Sequence, residues 1–314
     1  MCAEHKPAAT RRTNSRPRFD PEALFPSERP TTPRTRTRRL RATGRLAALL
    51  GWGAFSCSIQ VPLMALPGWM HLRWPRVFWR GVCRIMGMKV RVLGKPAATS
   101  TAARKRRPVI YVVNHTSWMD IAVLGSIMPT IFISKDEVRH WPLVGILTKL
   151  GSTLYVTRTP QTASAEISEI SARLREGYDI TFFPEGTTSD GAGVLPFLSS
   201  LFAIAKPPRT AASAPDEDAP RPLVQPVSLV YDQLEGLPTG RNRRSSVFSW
   251  YGDMEFGPHF KELSAWRAMR ASVMFHAPLD PETFPTRKKL AAEAQAIIAS
   301  GSETLRQQRL PHSS

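Results

Sequence analysis

Apolar and polar positions through the middle of the chain switch repeatedly between a strand-like and a helix-like pattern. Val109–Val113 is an unbroken β-branched and aromatic run, which is typical of a strand buried on both faces. Similar short runs predict further strands at residues 89–93, 131–134, 153–157, 179–183, 224–230, 247–250 and 272–276. Apolar residues at helical spacing and helix-favouring segments predict helices at residues 117–127, 141–150, 163–176 and 286–309. Strands that alternate with helices predict an α/β domain with a mixed, largely parallel sheet flanked by helices.

A different pattern occupies residues 46–70, where no side chain is charged. About 20 apolar residues are enough to span a bilayer. Arginines flank both ends of this segment, and basic flanks accumulate on the cytoplasmic side of a membrane. This symmetry favours a segment that enters the cytoplasmic leaflet, breaks near Pro62 and returns, with a single span as the alternative. Residues 74–88 alternate arginine with bulky apolar residues, as an interfacial amphipathic helix does.

These patterns divide the chain into four regions. Residues 1–45 hold 12 Lys or Arg against four acids and have almost no apolar periodicity, which predicts a disordered basic tail. Residues 46–88 form the predicted membrane-associated helical segment, and residues 89–285 form the α/β domain. Within that domain, the Pro- and Ala-rich stretch 206–222 is expected to be a flexible insertion. Residues 286–314 complete the chain as a C-terminal helix and tail.

The formal net charge of +18 predicts an anionic partner, which could be nucleic acid, an acidic membrane or a phosphorylated substrate. The tail supplies eight of these charges, so the rest of the chain is only moderately basic and the nucleic-acid interpretation is weakened. Three cysteines are too few for a disulfide scaffold, and they lack the paired short spacing of a zinc site. We therefore expect reduced thiols and no metal.

The first cluster with catalytic potential, His115 and Asp120, lies where the strand at 109–113 meets the next helix. Open α/β sheets usually bind ligands at such strand ends. If His115 lies in the turn and Asp120 in the first helical turn, the carboxylate can fix the imidazole tautomer and leave the other nitrogen as a general base. The structural alternative is that Ser117 and Asp120 form a helix capping box.

The second cluster follows the strand at 179–183, where the chain reads Pro-Glu-Gly-Thr-Thr-Ser-Asp-Gly. Backbone N–H groups and hydroxyls in such a turn can hold an anion or a polar headgroup. The alternative is an ordinary turn into a helix capped by Thr187 and Asp190. Arg158 is the first charged residue after the strand at 153–157, and it would be suited to a phosphate if the fold places it near these two clusters.

Four blocks occur in this order: NHTSWMD at 114–120, GSTLYVTR at 151–158, FPEGTTS at 183–189 and VQPV at 224–227. Together they resemble the glycerolipid acyltransferase family, whose best-known member is 1-acylglycerol-3-phosphate acyltransferase. The His-x4-Asp and Phe-Pro-Glu-Gly blocks are the most specific of that family's motifs. The resemblance covers roughly residues 74–280.

The resemblance implies acyl transfer from acyl-CoA or acyl-carrier protein to the free hydroxyl of a lysolipid, with lysophosphatidate as the default acceptor and phosphatidate as product. His115 would be the general base and Asp120 would orient it. The residues implied to bind the acceptor are Glu185, Gly186, Thr187 and Arg158. Direct attack on the thioester needs no enzyme nucleophile, cofactor or metal, and no G-x-S-x-G elbow occurs in the chain. The implied partners are the lysolipid, the thioester carrier and membrane lipids, at the cytoplasmic face of the inner (plasma) membrane, with no nucleic acid.

Two departures leave the acceptor open. Thr188 stands where many relatives of the family place arginine, and residues 231–259 look like a bacterial branch that includes lyso-ornithine lipid acyltransferases. The acceptor of that branch is a hydroxyacyl amino-acid lipid. The charged residues suited to its ammonium or its carboxylate are Asp253 and Glu255 for the first, and Arg241, Arg243 and Arg244 for the second.

Two function classes other than an acyltransferase fit parts of the sequence. A non-catalytic basic protein that binds nucleic acid or acidic membrane would explain the tail but leaves the His-x4-Asp and FPEG blocks without a purpose. A lipid hydrolase would need an activated serine, and neither Ser117 nor Ser189 has that sequence context.

Overall fold

The structure is a computed structural model that describes residues 36–65, 70–97, 107–136, 153–156, 163–206 and 221–308. The strands are β1 (Met88–Leu93), β2 (Val109–Val113), β3 (Ile131–Lys135), β4 (Leu154–Val156), β5 (Ile180–Phe182), β6 (Leu223–Leu234), β7 (Leu237–Pro238) and β8 (Met269–Phe275). The helices are α1 (Arg36–Ala65), α2 (Met70–Met86), α3 (Met119–Ile127), α4 (Ala163–Arg175), α5 (Phe256–Ala265) and α6 (Arg287–Arg306). Short 3₁₀ turns lie at Ser199–Ile204 and Pro281–Thr283.

The strands form one sheet in the order β1-β8-β6-β2-β5-β3-β4, with β7 paired to β6. All pairings among β2, β3, β4 and β5 are parallel, as are those of β1 with β8 and of β2 with β6. The antiparallel strand pairs within the described residues are β6 with β7 and β6 with β8. The predicted mixed, largely parallel sheet is therefore confirmed. Because β2, β5 and β6 run in the same direction, the segments that follow β2 and β5 emerge side by side.

Two apolar cores lie on opposite faces of the sheet, because successive side chains of a strand point to opposite faces. Tyr111 and Val113 of β2 join the core that α2 and α3 cover. Ile110 and Val112 join the other core, which α4 and α6 cover. The residues on β2 are 0–1% exposed, which explains why its sequence is apolar without a break.

Helices α1 and α2 pack against each other as an antiparallel hairpin. The indole N–H of Trp52 donates to the carbonyl of Phe78 at 3.0 Å, and that of Trp74 donates to the carbonyl of Ser56 at 3.2 Å. Helix α1 continues through Pro62 and ends at Ala65, and α2 runs back along it, which agrees with a segment that breaks near Pro62 and returns. Among the described residues, α1 is the helix that is long and apolar enough to cross a membrane, and most of its apolar stretch is not buried in the protein.

The prediction of a disordered tail up to residue 45 is wrong for residues 36–45, which form the start of α1. Arg41 donates to the carbonyl of Ala265 at 2.7 Å, and Arg45 donates to that of Ser264 at 3.0 Å. Arg38 lies over the ring of Trp266 at 4.1 Å. The last carbonyls of a helix have no partner within the helix and carry partial negative charge, so these arginines stabilise the end of α5. Residues 1–35 lie outside the described residues.

Two further predictions differ from the structure. The strand predicted at residues 247–250 is absent from this described segment, where Arg244–Phe248 is a turn of π-helix that follows the single helical turn Arg241–Arg243. Helix α5 was not predicted, because its first turn contains Gly257 and Pro258 and its apolar stripe is short. The helix predicted at 141–150, most of the insertion at 206–222, and Arg158 lie outside the described residues.

Candidate active site

His115 and Asp120 meet in the turn between β2 and α3. His115 lies in the turn, Asp120 lies in the first turn of α3, and the imidazole Nδ1 is 2.8 Å from the carboxylate Oδ2. The carboxyl side chain is fully buried, whereas the imidazole keeps 18% of its surface exposed. This is the arrangement that the sequence predicted for a histidine and an orienting carboxylate.

The carboxylate of Asp120 also holds the turn that precedes its own helix. Oδ2 accepts hydrogen bonds from the backbone N–H groups of Thr116 at 2.7 Å and Ser117 at 3.0 Å. One half of the capping box considered for this spacing, the bond from the Ser117 N–H to Asp120, is thus present together with the contact to His115, while the N-cap residue Trp118 makes no side-chain cap bond. One carboxylate fixes both the start of α3 and the imidazole that precedes it.

A fourth donor to this carboxylate comes from β6. The hydroxyl of Tyr231 donates to Asp120 Oδ1 at 2.5 Å, and its ring stacks on Phe248 with centroids 4.7 Å apart. Burial, and then the nearby charge of Asp120, raise the pKa of the Tyr231 hydroxyl well above its usual value, so it remains a donor. Sequence reasoning did not single out Tyr231. The only signal was its place four residues after the VQPV block.

Asn114 explains how Tyr231 reaches the turn. Strand β2 ends at Val113, opposite Val227, while β6 continues for seven residues. The side-chain amide of Asn114 donates to the carbonyl of Leu229 at 2.9 Å and accepts from its N–H at 2.8 Å. The amide thus extends the pairing of β2 with β6 beyond the end of β2, and this brings Tyr231 beside Asp120.

The backbone of His115 is fixed from the neighbouring turn after β5. Glu185 Oε1 accepts from the His115 N–H at 2.8 Å, and Oε2 accepts from the Leu195 N–H at 3.0 Å. The N–H and hydroxyl of Ser189 both donate to the His115 carbonyl, at 2.9 and 3.0 Å. The ring of Phe183 stacks on the imidazole at 3.9 Å with a 13° angle between the planes. The FPEGTTS block therefore positions the histidine.

Burial raises the pKa of Glu185 to about 8, although its two N–H donors act in the opposite direction. The side chain is 6% exposed. Each oxygen of the Glu185 side chain accepts a hydrogen bond from a backbone N–H group, that of His115 or that of Leu195. The acceptor-binding role implied for Glu185 stays a prediction, and the contacts that the structure gives are those of a positioning residue.

This geometry leaves one imidazole nitrogen available. Asp120 accepts from Nδ1–H and so fixes the tautomer in which Nε2 carries a lone pair. Within the described residues no protein group bonds Nε2, and the exposed part of the ring is open to solvent. Such a nitrogen can remove a proton from a hydroxyl, while the carboxylate stabilises the imidazolium that forms.

Comparison with known proteins identifies the family. Residues 96–229 match the family model described as Acyltransferase. Lyso-ornithine lipid O-acyltransferase of Rhodobacter capsulatus is 36% identical over 282 residues, which cover 88% of this chain and 94% of that protein. The chain belongs to the acyltransferase family.

Other relatives of this acyltransferase resemble it over less of the chain or in fold alone. The 1-acyl-sn-glycerol-3-phosphate acyltransferase of Neisseria meningitidis serogroup B is 32% identical over 127 residues, 40% of this chain and 48% of that protein. The crystal structure of the acyltransferase PlsC from Thermotoga maritima superposes with a TM-score of 0.57 at 20% identity. The superposition covers 88% of this chain and 97% of the Thermotoga maritima chain. The predicted family and its fold are thus confirmed.

The remaining predicted site residues of the acyltransferase are placed only in part. Gly186 has φ +75°, and its N–H donates to the Phe183 carbonyl at 3.3 Å, so it forms the tight turn beneath His115. Thr187 follows it and is exposed. No group of three or more His, Cys, Asp or Glu side chains in the described part of the chain is arranged to hold a metal ion. The expectation of a reaction without cofactor or metal stays a prediction.

Proposed function

We propose that this acyltransferase is a membrane-bound lyso-ornithine lipid O-acyltransferase that uses His115 as its general base. It transfers a fatty acyl group from acyl-carrier protein or acyl-CoA to the free hydroxyl of the lysolipid. The observation that carries the chemistry is the pair of His115 Nδ1 and Asp120 Oδ2, 2.8 Å apart, on an imidazole that keeps 18% of its surface exposed.

The reaction is a direct displacement at the thioester carbonyl. His115 Nε2 takes the proton of the acceptor hydroxyl as the oxygen attacks, and Asp120 stabilises the imidazolium. The tetrahedral intermediate then collapses, the C–S bond breaks and the thiolate takes the proton from the imidazolium. The products are the ester and the free thiol, and the enzyme returns to its starting state. Ser189 is not a nucleophile in this scheme, because its hydroxyl donates to the His115 carbonyl.

The share of the chain that each relative matches supports lyso-ornithine lipid as the acceptor. The lyso-ornithine lipid O-acyltransferase of Rhodobacter capsulatus matches 88% of this chain, and the 1-acyl-sn-glycerol-3-phosphate acyltransferase of Neisseria meningitidis matches 40%. Residues after 229, beyond the Acyltransferase match, contribute directly to the site, since Tyr231 donates to Asp120. Similarity that includes this segment is therefore a better guide to the acceptor than similarity in the catalytic core alone.

Lysophosphatidate is the second candidate acceptor. It is the acceptor that the resemblance in sequence motifs implied, and the partial match to the Neisseria meningitidis protein supports it. With lysophosphatidate, the same base would act on a glycerol hydroxyl and the product would be phosphatidate.

The hairpin of α1 and α2 supports the proposed membrane location. Large apolar side chains on α1 are about half exposed, and water is a poor solvent for a surface of this kind. They are Leu46, Leu50, Phe55, Val61 and Met64. We place this surface in the bilayer, with the catalytic domain at the cytoplasmic face of the inner membrane.

The test is acyl transfer by membranes that contain the full chain. Lyso-ornithine lipid and lysophosphatidate are offered separately, each with labelled acyl-carrier protein and with labelled acyl-CoA. We expect product from lyso-ornithine lipid, and loss of that product in His115→Ala with the protein still folded and in the membrane. Product from lysophosphatidate alone would contradict the proposed acceptor, and transfer retained by His115→Ala would contradict the assigned base.

A further inference from the structure

Arg244 is a buried cation without a carboxylate partner. The residue is 6% exposed, and it forms no ion pair within the described residues. Nε donates to the carbonyl of Tyr231 at 3.3 Å and Nη2 to that of Thr239 at 2.8 Å, while Nη1 has no partner there. Buried charges in proteins are usually paired, because an unpaired one loses its hydration without compensation. Such a guanidinium is suited to an anion supplied by a ligand.

The acids near Arg244 do not neutralise it. The acid that acts on its charge is Asp232, which already accepts two hydrogen bonds from Arg270, at 2.9 and 2.7 Å, and a third from Ser272. Burial and the neighbouring positive charge of Arg306 lower the pKa of Arg244 to about 10. It therefore stays charged at neutral pH.

A second arginine adds to this positive charge. Arg306, at the end of α6, is partly buried and acts electrostatically on Arg244. The acids that act on Arg306 are Glu303 and Asp190, and neither forms an ion pair with it within the described residues. Asp190 accepts a hydrogen bond from the Ala192 N–H at 2.9 Å. The positive charge of Arg306 thus acts on Arg244 from a different part of the chain, and neither arginine forms an ion pair within the described residues.

This place adjoins the catalytic turn. A Cβ built on Gly191 would lie 3.1 Å from Cγ2 of Thr116 and 3.4 Å from Cδ of Arg244, so the loop after Ser189 packs between them. Gly191 has φ +74°, which together with this close approach favours glycine. The Trp250 N–H also donates to the Thr116 carbonyl at 2.9 Å. The segment that carries Arg244 is therefore fixed to the residue next to His115.

We propose that Arg244, supported by Arg306, binds the carboxylate of the acceptor headgroup and so selects a carboxylate-bearing lysolipid. This inference rests on the proposed function, because it places an amino-acid headgroup beside the His115 base. Arginine forms charge-assisted, often bidentate, hydrogen bonds with a carboxylate, and these are strongest where water is excluded. Arg241 and Arg243 carry the same charge but are exposed, so solvent screens any contact that they make.

The test changes the ligand and the protein separately. Full-length enzyme in membranes is assayed with lyso-ornithine lipid and with its methyl ester, in which the carboxylate is blocked, using wild type, Arg244→Gln and Arg306→Gln. The matched control is Arg243→Gln, an exposed arginine on the adjoining turn. The acyl donor is varied in the same assays.

We expect the ester to lower wild-type kcat/KM at least tenfold, mainly through KM for the acceptor. Arg244→Gln should show a similar loss with the free acid and little further loss with the ester, because the pair is already broken. Arg306→Gln should give a smaller loss in the same direction, and Arg243→Gln should behave as wild type. KM for the acyl donor should not change.

Three results would overturn the proposal. Equal wild-type activity on lyso-ornithine lipid and on its methyl ester would show that no group of the enzyme binds the carboxylate, although the proposed function would stand. Equal losses of Arg244→Gln on both lipids, or a raised KM for the donor, would assign Arg244 to another role. If Arg244→Gln does not fold, the wild-type comparison and Arg306→Gln decide. Product from lysophosphatidate alone would instead refute the acceptor on which the inference rests.

Discussion

Tyr231→Phe separates the hydroxyl that holds Asp120 from the ring that fills the core. The ring of Tyr231 is fully buried and stacks on Phe248 with a 4° angle between the planes. Phenylalanine keeps this stacking and nearly the same volume. The substitution removes the O–H···O hydrogen bond to Asp120 Oδ1, which is 2.5 Å long.

The size of the effect follows from the kind of hydrogen bond. A bond to a charged group contributes about 1.5–3 kcal/mol, and about 1.4 kcal/mol corresponds to a factor of ten in rate. If the carboxylate loses its position in the transition state, kcat should fall by roughly 10- to 150-fold. KM should stay within about twofold, because Tyr231 is fully buried and does not reach the acceptor.

The assay is steady-state acyl transfer with lyso-ornithine lipid, together with a melting curve of each variant. The control is Tyr178→Phe, a half-buried tyrosine that packs against the core on the other face of the sheet. It should leave kcat unchanged. A folded Tyr231→Phe enzyme with wild-type kcat, or one whose loss appears in KM alone, would refute the positioning role.

Three other predictions follow from the same contacts. Asp120→Asn should lower kcat by roughly 10²–10⁴-fold, since the neutral amide cannot stabilise an imidazolium. A melting curve checks that the variant is folded, and kcat within tenfold of wild type would contradict the prediction. Because burial raises the pKa of Glu185 from 4.5 to about 8, the native state binds an extra proton between these values, so stability should fall as pH rises from about 5 to 8. Glu185→Gln should remove that slope in melting curves, and an unchanged slope would speak against the shifted pKa. Arg45→Ala should expose α1 to trypsin near Arg41 by removing donors to the end of α5, whereas Arg39→Ala, an exposed neighbour, should not; equal cleavage of both would count against the docking.

The elements of the fold that could be predicted are those that a local pattern of apolar residues determines. Buried parallel strands read as continuous apolar runs, so β2 was predicted with its observed bounds. The start of α1 was wrongly assigned to the tail because its arginine-rich composition is typical of disordered segments. They are ordered by carbonyls of α5, more than 200 residues away, and no local pattern records that contact.

The candidate site shows the same division. His115 and Asp120 are five residues apart, so their meeting followed from the position of a turn and a helix. Tyr231 is 111 residues from Asp120, and their contact depends on how far β6 runs beyond the end of β2. The acceptor-binding role of Glu185 stays a prediction, and its contacts with the His115 and Leu195 N–H groups were not predicted, because they depend on the neighbouring turn, which the motif alone does not describe.

The positions of these residues along the chain suggest how acyltransferases of one family come to differ in acceptor. His115, Asp120 and the turn around Glu185 all lie within residues 96–229, the part that matches the family model. Tyr231 and Arg244 lie beyond it, on a segment whose Trp250 N–H is bonded to the catalytic turn. Changes at Arg244 can therefore alter which headgroup binds beside His115 and leave the contacts of His115 with Asp120 and Glu185 in place, whereas changes at Tyr231 would disturb Asp120. A relative that shares the core but lacks a buried, unpaired arginine at this place should accept a headgroup without a carboxylate.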